Sequence, residues 1–261
     1  MSPRDLPDDS ESSDSTRDER VLPRPNGLLL DLGNTVLREA QYDFPSGLKR
    51  IHELCENRLD EIEFAAHVTS VYRDLRAHLL AGVVELSFQS FLRLSLQSAR
   101  SRPRVSIADL EFEFWKAACE MAPVPGIHGF LRRMGELGIP MGIVSNAMFS
   151  SGVLSWKLDS HGIRDYFAFL MSSAEYGVRK PHPAIFAAAA ARLNIAPQGL
   201  WFIGDSLNND IRGARAAGMT AVWLNSRAFD NDGTPHATVV DWDEAALLVE
   251  VTLRRDQRKD F

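Results

Sequence analysis

The chain has 261 residues, a formal net charge of -6 and a hydrophobic content of 45%. That length suits one large domain or a core domain with an insertion, and the composition suits a packed protein. The acidic balance argues against a general nucleic-acid binder. Two cysteines, Cys55 and Cys119, are too few for a disulfide framework and have no partner at metal-ligand spacing, as expected of a reduced, cytoplasmic protein.

Residues 1–26 are acidic, Ser-rich and Pro-containing, without the apolar core of a secretory signal, so they read as a disordered tail. The run GLLLDLGNTVL, residues 27–37, then begins as a continuous apolar strand that ends on Asp31 and breaks at Gly33 and Asn34. An isolated buried carboxylate is costly, so an Asp at that place is expected to be paired, metal-bound or turned toward a cleft.

Residues 38–122 differ in character: four segments carry apolar residues at three- and four-residue spacing, with the charged break ARSRPR among them. They predict a helical insertion, or cap domain. Its most apolar part, LLAGVVELSFQSFLRLSL, is interrupted by Glu85 and Arg93 and is not expected to span a bilayer.

From residue 123 the pattern alternates. A helix with Ile127, Phe130, Leu131, Met134 and Leu137 on one face leads to the strand IPMGIVSNA; helices and strands then alternate through FAFLMSS, GLWFIGDS and MTAVWLN to a short strand, ATVVDW, and a closing helix. Such alternation predicts an α/β, three-layer Rossmann-like parallel sheet, with residues 27–37 and 123–261 forming the core domain.

Parallel sheets keep their ligands at the carboxyl ends of the strands. Asp31, Ser145 with Asn146, Lys180, and Asp205 with Asp210 all fall at or beyond such ends. Asp31 and Asp205 are suited to Mg²⁺, which takes one or two carboxylates and keeps several waters. Lys180 supplies the counter-charge for an incoming phosphate, and Ser145 a hydroxyl donor. Each has an ordinary reading as well. Asp31, Ser145 and Asn146 suit turns, Lys180 suits an exposed surface, and Asp205 and Asp210 suit the start of a helix.

Together the motifs DLGNT, IVSNA, GVRKPHPAIF and FIGDSLNNDIRGARAAGM, with a helical insert after the first, resemble the haloacid dehalogenase superfamily over about residues 27–245. The resemblance implies a hydrolase in which Asp31 attacks phosphorus, Ser145 and Lys180 hold the phosphoryl oxygens, and Asn34, Thr35 and Asn146 bind substrate. It implies Mg²⁺ held by Asp31, the Gly33 carbonyl, Asp205 and Asp210, and a cap that selects a small phosphorylated metabolite. One position departs: the phosphatase pattern has a second Asp two residues after the nucleophile, as proton donor, where this chain has Gly33. Glu39 and Asp43 are candidate replacements. The departure also admits a metal-free 2-haloacid dehalogenase, which Asp205 disfavours, or a catalytically weak member with a binding or regulatory role. A phosphonate hydrolase is disfavoured because residues 51–115 contain no lysine.

Overall fold

A computed structural model describes residues 21–79 and 84–257; most of the predicted N-terminal tail lies outside them. Strand β1 (Gly27–Leu30) is followed by β2 (Leu37–Tyr42), α1 (Phe44–Glu53), β3 (Cys55–Glu56), α2 (Glu61–Leu79), α3 (Phe88–Ser98), β4 (Arg102–Pro103), α4 (Ile107–Ala118) and β5 (Cys119–Pro123). Next come α5 (Ile127–Glu136), β6 (Met141–Ser145), α6 (Ser151–Ser160), β7 (Phe169–Ser172), α7 (Ser173–Tyr176), α8 (Pro183–Leu193) and β8 (Leu200–Gly204). A π-helical turn at Leu207–Ile211 leads into α9 (Arg212–Ala216), and β9 (Thr220–Leu224), β10 (Ala237–Val239) and α10 (Trp242–Gln257) close the chain.

Six strands form one parallel sheet in the order β10-β9-β8-β1-β6-β7. β1 is central, so β6 and β8 flank it on either side. Successive residues point to opposite faces: Leu28 and Leu30 pack with Phe130, Met134 and Trp242 on one side, and Leu29 with Ile185, Phe186 and Ala214 on the other. Both faces are therefore covered, which is why these strands read as unbroken apolar runs. Each Leu of β1 is completely buried, a contribution of roughly 1.5–3 kcal/mol per side chain. The predicted three-layer α/β class and strand sequence match this architecture.

The region between β1 and α5 differs from the expectation in one respect. It does not begin and end in helix but in an antiparallel ribbon, β2 with β5, whose register runs from Leu37↔Pro123 to Tyr42↔Cys119 with a bulge between Glu39 and Gln41. Five of the six β2 residues are exposed, so no hydrophobic alternation marks the strand, and its partner lies some eighty positions on. Helices α1–α4 pack around Leu48, Ile51, Phe64, Phe88, Phe91 and Phe114. Gly47 permits the close approach of α1 to α4, because a Cβ there would overlap the Phe114 ring.

This helical unit rests on the core through loop 146–150. Phe149 sits among Phe88 and Trp115, with ring centroids 4.8 and 4.6 Å away. The buried Glu111 carboxylate accepts from the Ser150 N–H and hydroxyl, both at 2.8 Å. Among the described residues, no helix is long and apolar enough to cross a membrane.

Candidate active site

Because β1 lies between β6 and β8, the residues that end these three strands become neighbours. Asp31 follows Leu30 directly, and its N–H donates to the Ile203 carbonyl at 3.0 Å, extending the pairing one residue past the strand. Ser145 is the last residue of β6 and is 4% exposed. Asp205 follows β8 at once.

Lys180 reaches this point from the segment after α7. Its ammonium is 2.6 Å from Asp31 Oδ1 and 2.7 Å from both the Val144 carbonyl and Asp210 Oδ1. At 1% exposure it is no ordinary surface lysine. Burial alone lowers the pKa of an ammonium, but here Asp210 and then Asp31 outweigh it and hold Lys180 above the usual lysine value. Asn146 fixes the backbone beneath it: its amide accepts from the Lys180 N–H and donates to the Lys180 carbonyl, both at 2.8 Å. The predicted substrate-binding Asn146 is thus engaged first as a clamp on the lysine.

Asp210 stands in the π-helical turn, where the Ser206 N–H donates to its Oδ2 at 3.0 Å. Gly204 makes room for it, since a Cβ there would lie 2.5 Å from Asp210 Oδ2. Asp210 Oδ1 is buried and, despite its closeness to Lys180, receives no aligned hydrogen bond. Burial raises the Asp210 pKa and Lys180 opposes it. Asp205 is pushed up to about 6, first by burial and then by the charge of Asp31. The helix start that Asp205 was suited to cap is capped instead by Ser206, whose hydroxyl accepts from the Asn209 N–H at 3.2 Å.

One carboxylate oxygen from each of Asp31, Asp205 and Asp210 lies within 4.8 Å of the others. The set suits a hard divalent cation: oxygen donors only, three formal negative charges against one ammonium, and a buried carboxylate oxygen with no aligned donor.

These groups line a cavity of about 380 Å³ whose wall is completed by Tyr42, Cys119 and Met121 of the β2–β5 ribbon and by Trp115 of α4. Gly33 also faces it, and a Cβ built there meets nothing within 4 Å. Glu39 lines the cavity, whereas Asp43 caps α1 by accepting from the Ser46 N–H and hydroxyl at 3.1 and 2.6 Å, and is committed there. The other two predicted substrate ligands stand elsewhere. Asn34, with φ 57°, is exposed and lines an adjoining cavity. Thr35 is fully buried, the Trp242 indole N–H donates to its carbonyl at 3.0 Å, and it is on the wall of neither cavity. His182 caps α8, its Nδ1 accepting from the Ala184 N–H. Arg179, Ser206 and Asn209 line the site without having been singled out in the sequence. Only their adjacency to Lys180 and Asp205 marks them there.

A family profile described as haloacid dehalogenase-like hydrolase matches residues 25–218. The chain belongs to this family of hydrolases. A glyceraldehyde 3-phosphate phosphatase of Methanopyrus kandleri is 37% identical over 128 residues, 49% of this chain and 51% of that protein. A ribulose-1,5-bisphosphate 5-phosphatase of Halopiger xanaduensis is 28% identical over 80% of this chain and 88% of its own. With the first of these, the chain spans about half the relative's length. Among solved structures, a 2-haloacid dehalogenase from Pseudomonas syringae pv. Tomato DC3000 superposes with a TM-score of 0.61 at 18% identity, covering 88% of this chain and 99% of that one, a likeness of fold.

Proposed function

We propose that the protein is a magnesium-dependent phosphohydrolase that releases phosphate from a small phosphorylated metabolite through an aspartyl-phosphate on Asp31. The observation that carries this reading is the meeting of Asp31, Asp205 and Asp210 oxygens within 4.8 Å beside the Lys180 ammonium. A metal-free dehalogenase has no need of the Asp205 carboxylate in such a cluster.

Mg²⁺ fits Asp31, Asp205, Asp210 and the Gly33 carbonyl, and when bound supplies charge neutralisation at the phosphoryl oxygens. The other Asp31 oxygen is the nucleophile. Lys180 orients that carboxylate and stabilises negative charge on the phosphoryl group, while the Ser145 hydroxyl donates to one of its oxygens. Exclusion of water by residues 38–122 during the transfer would strengthen these charge interactions. In this reading residues 38–122 act as a cap. Position 33 has no proton to give, and Glu39 is the remaining carboxylate on the cavity wall. The free Cys55 and Cys119 suit a cytoplasmic setting.

The test is an assay with p-nitrophenyl phosphate, acetyl phosphate and a 2-haloacid, with and without Mg²⁺, for the parent and Asp31→Asn. Metal-requiring phosphate release, lost in the variant, is expected. Halide release insensitive to chelator overturns the proposal.

A further inference from the structure

A second cavity, of about 340 Å³, adjoins the first at Asp205 and at the junction of Gly33 with Asn34. Two guanidinium groups stand on its wall, Arg38 and Arg227, and neither has an ion pair or hydrogen bond among the described residues. Asp205 and Asp241 line the same cavity, so its formal charge is balanced, but neither carboxylate forms an ion pair with either arginine among the described residues, which leaves both guanidinium groups open to an anion. Strand alternation produces this division: on β2, Arg38 lines the second cavity and its neighbour Glu39 the first.

The wall that carries Arg227 is built. Asn225 clasps Phe229 in both directions, its amide donating to the Phe229 carbonyl at 2.8 Å and accepting from the Phe229 N–H at 3.0 Å. Ala228 between them is held at φ 52°, a conformation that costs an L-residue and persists where its surroundings impose it. Arg227 is near enough to Asp205 for its charge to be felt there. The carboxylates on this wall are committed elsewhere: Asp205 belongs to the acidic cluster, and Asp241 Oδ1 accepts from the Glu244 N–H at 2.8 Å as the start of α10. The floor is apolar, with Leu224 and Trp242.

The cations of the first cavity are already engaged. Lys180 has three oxygen partners, and Arg179 lies 3.6 Å from the Glu85 carboxylate. An additional negative charge on a ligand is therefore best met on the far side of Gly33, where the missing side chain leaves the way open.

We infer that Arg38 and Arg227 form a second anion subsite, so that the substrate is a phosphate ester carrying a further anionic group, a second phosphate or a carboxylate, on a short carbon body. The inference rests on the reading of Asp31 as phosphoryl acceptor.

The test compares propane-1,3-diol monophosphate with propane-1,3-diol bisphosphate, and glycerol 2-phosphate with 2-phosphoglycerate, in the full chain with Mg²⁺. The parent is expected to prefer the member with the second anionic group in at least one pair, and that pair identifies the group. In Arg38→Ala/Arg227→Ala the preference, as a ratio of kcat/KM values, falls at least about tenfold, mostly through KM, as expected for lost charge-assisted hydrogen bonds. A ratio unchanged by the double substitution, or no preference in the parent, overturns the inference. Calorimetric titration of the two favoured-pair candidates, bisphosphate and 2-phosphoglycerate, into Asp31→Asn with and without the double substitution reads the same subsite by binding. If phosphate release itself is absent, the proposed activity fails, yet weakened binding in the substituted protein still supports the subsite and unchanged binding still overturns it.

Discussion

Lys180 Nζ lies 2.6 Å from Asp31 Oδ1, in a site where the lysine is 1% and the aspartate 7% exposed. The two residues are 149 positions apart, and the lysine simultaneously faces Asp210 from the other side. A single ammonium thus holds two carboxylates in register. Removing it leaves two buried like charges facing each other, and breaking a buried pair in this way costs more than the pair itself contributes.

Lys180→Met should therefore destabilise the metal-free protein by about 3–5 kcal/mol in urea melts and reduce phosphate release by roughly 10²- to 10³-fold. The companion Lys180→Met/Asp210→Asn removes one of the stranded charges and should recover part of the stability but none of the activity. Equal melts for the single and double variants would count against the charge argument, since a packing defect at Lys180 is not repaired by neutralising Asp210.

How much of this site the sequence reveals depends on which physical constraint each residue obeys. Asp31, Ser145 and Asp205 can be placed because unbroken apolar runs mark buried parallel strands, and strand ends of one parallel sheet share an edge. Lys180 is harder: lysines are usually exposed, and nothing local to RKPHP shows that its amine crosses to β1. Asn146 has the look of a turn residue or a ligand, and its two bonds to the Lys180 backbone exist only through tertiary approach. The β2–β5 ribbon escapes notice because it is exposed and stabilised by pairing rather than by burial. The burial of Thr35 is equally hidden, since its contact with Trp242 joins residues some two hundred positions apart.

Gly33 offers a gain-of-function test. Its φ is not in the left-handed region and a Cβ there meets nothing within 4 Å, so the backbone does not demand glycine. Gly33→Asp should meet no steric cost, but a fourth carboxylate on the wall that holds Asp31, Asp205 and Asp210 should lower the stability of the metal-free protein by like-charge repulsion, a loss that added Mg²⁺ relieves. The substitution should raise hydrolysis of an alkyl phosphate relative to acetyl phosphate by about 10²-fold, the lower end of general acid-base assistance. A leaving-group series reports this directly, with a shallower dependence in the variant. An unaltered slope would mean that protonation is already supplied, and Glu39→Gln then becomes the informative partner.

Asp205 sets a pH dependence whose sign is the reverse of an ordinary surface carboxylate. Its pKa is raised from 3.8 to about 6 by burial and by Asp31, so across that window the folded chain retains a proton that the unfolded chain releases. Stability from this group therefore falls as pH rises through the window, and the cost is fully present above the folded value. In chelator-treated protein, thermal melts should show the parent gaining on Asp205→Asn as pH drops from ~7 to ~5. Added Mg²⁺ should raise the parent's Tm more at the higher pH, where no proton competes for the carboxylate. A parent that instead loses ground to the variant on acidification contradicts the assignment.

Glu111 links the helical unit to the loop that follows Ser145 and Asn146, the residues proposed to face the phosphoryl group. Its carboxylate is 1% exposed and accepts from the Ser150 N–H and hydroxyl and from the Gln89 amide at 2.8, 2.8 and 2.9 Å. Ser150 closes the loop that begins with Ser145 and Asn146, so the position of the helical unit and that of the lysine clamp are mechanically joined. Glu111→Ala strands these donors and should cost about 3 kcal/mol, with a fall in kcat larger than the change in KM because the loop, not substrate affinity, is released. Glu111→Gln keeps an oxygen for the Ser150 N–H and should recover a substantial part of both. Urea melts and steady-state kinetics on the three proteins decide the matter: a variant that melts early yet turns over normally below its transition shows that Glu111 only stabilises the fold, whereas a kcat defect in the folded range, relieved by Gln, shows that it positions the loop.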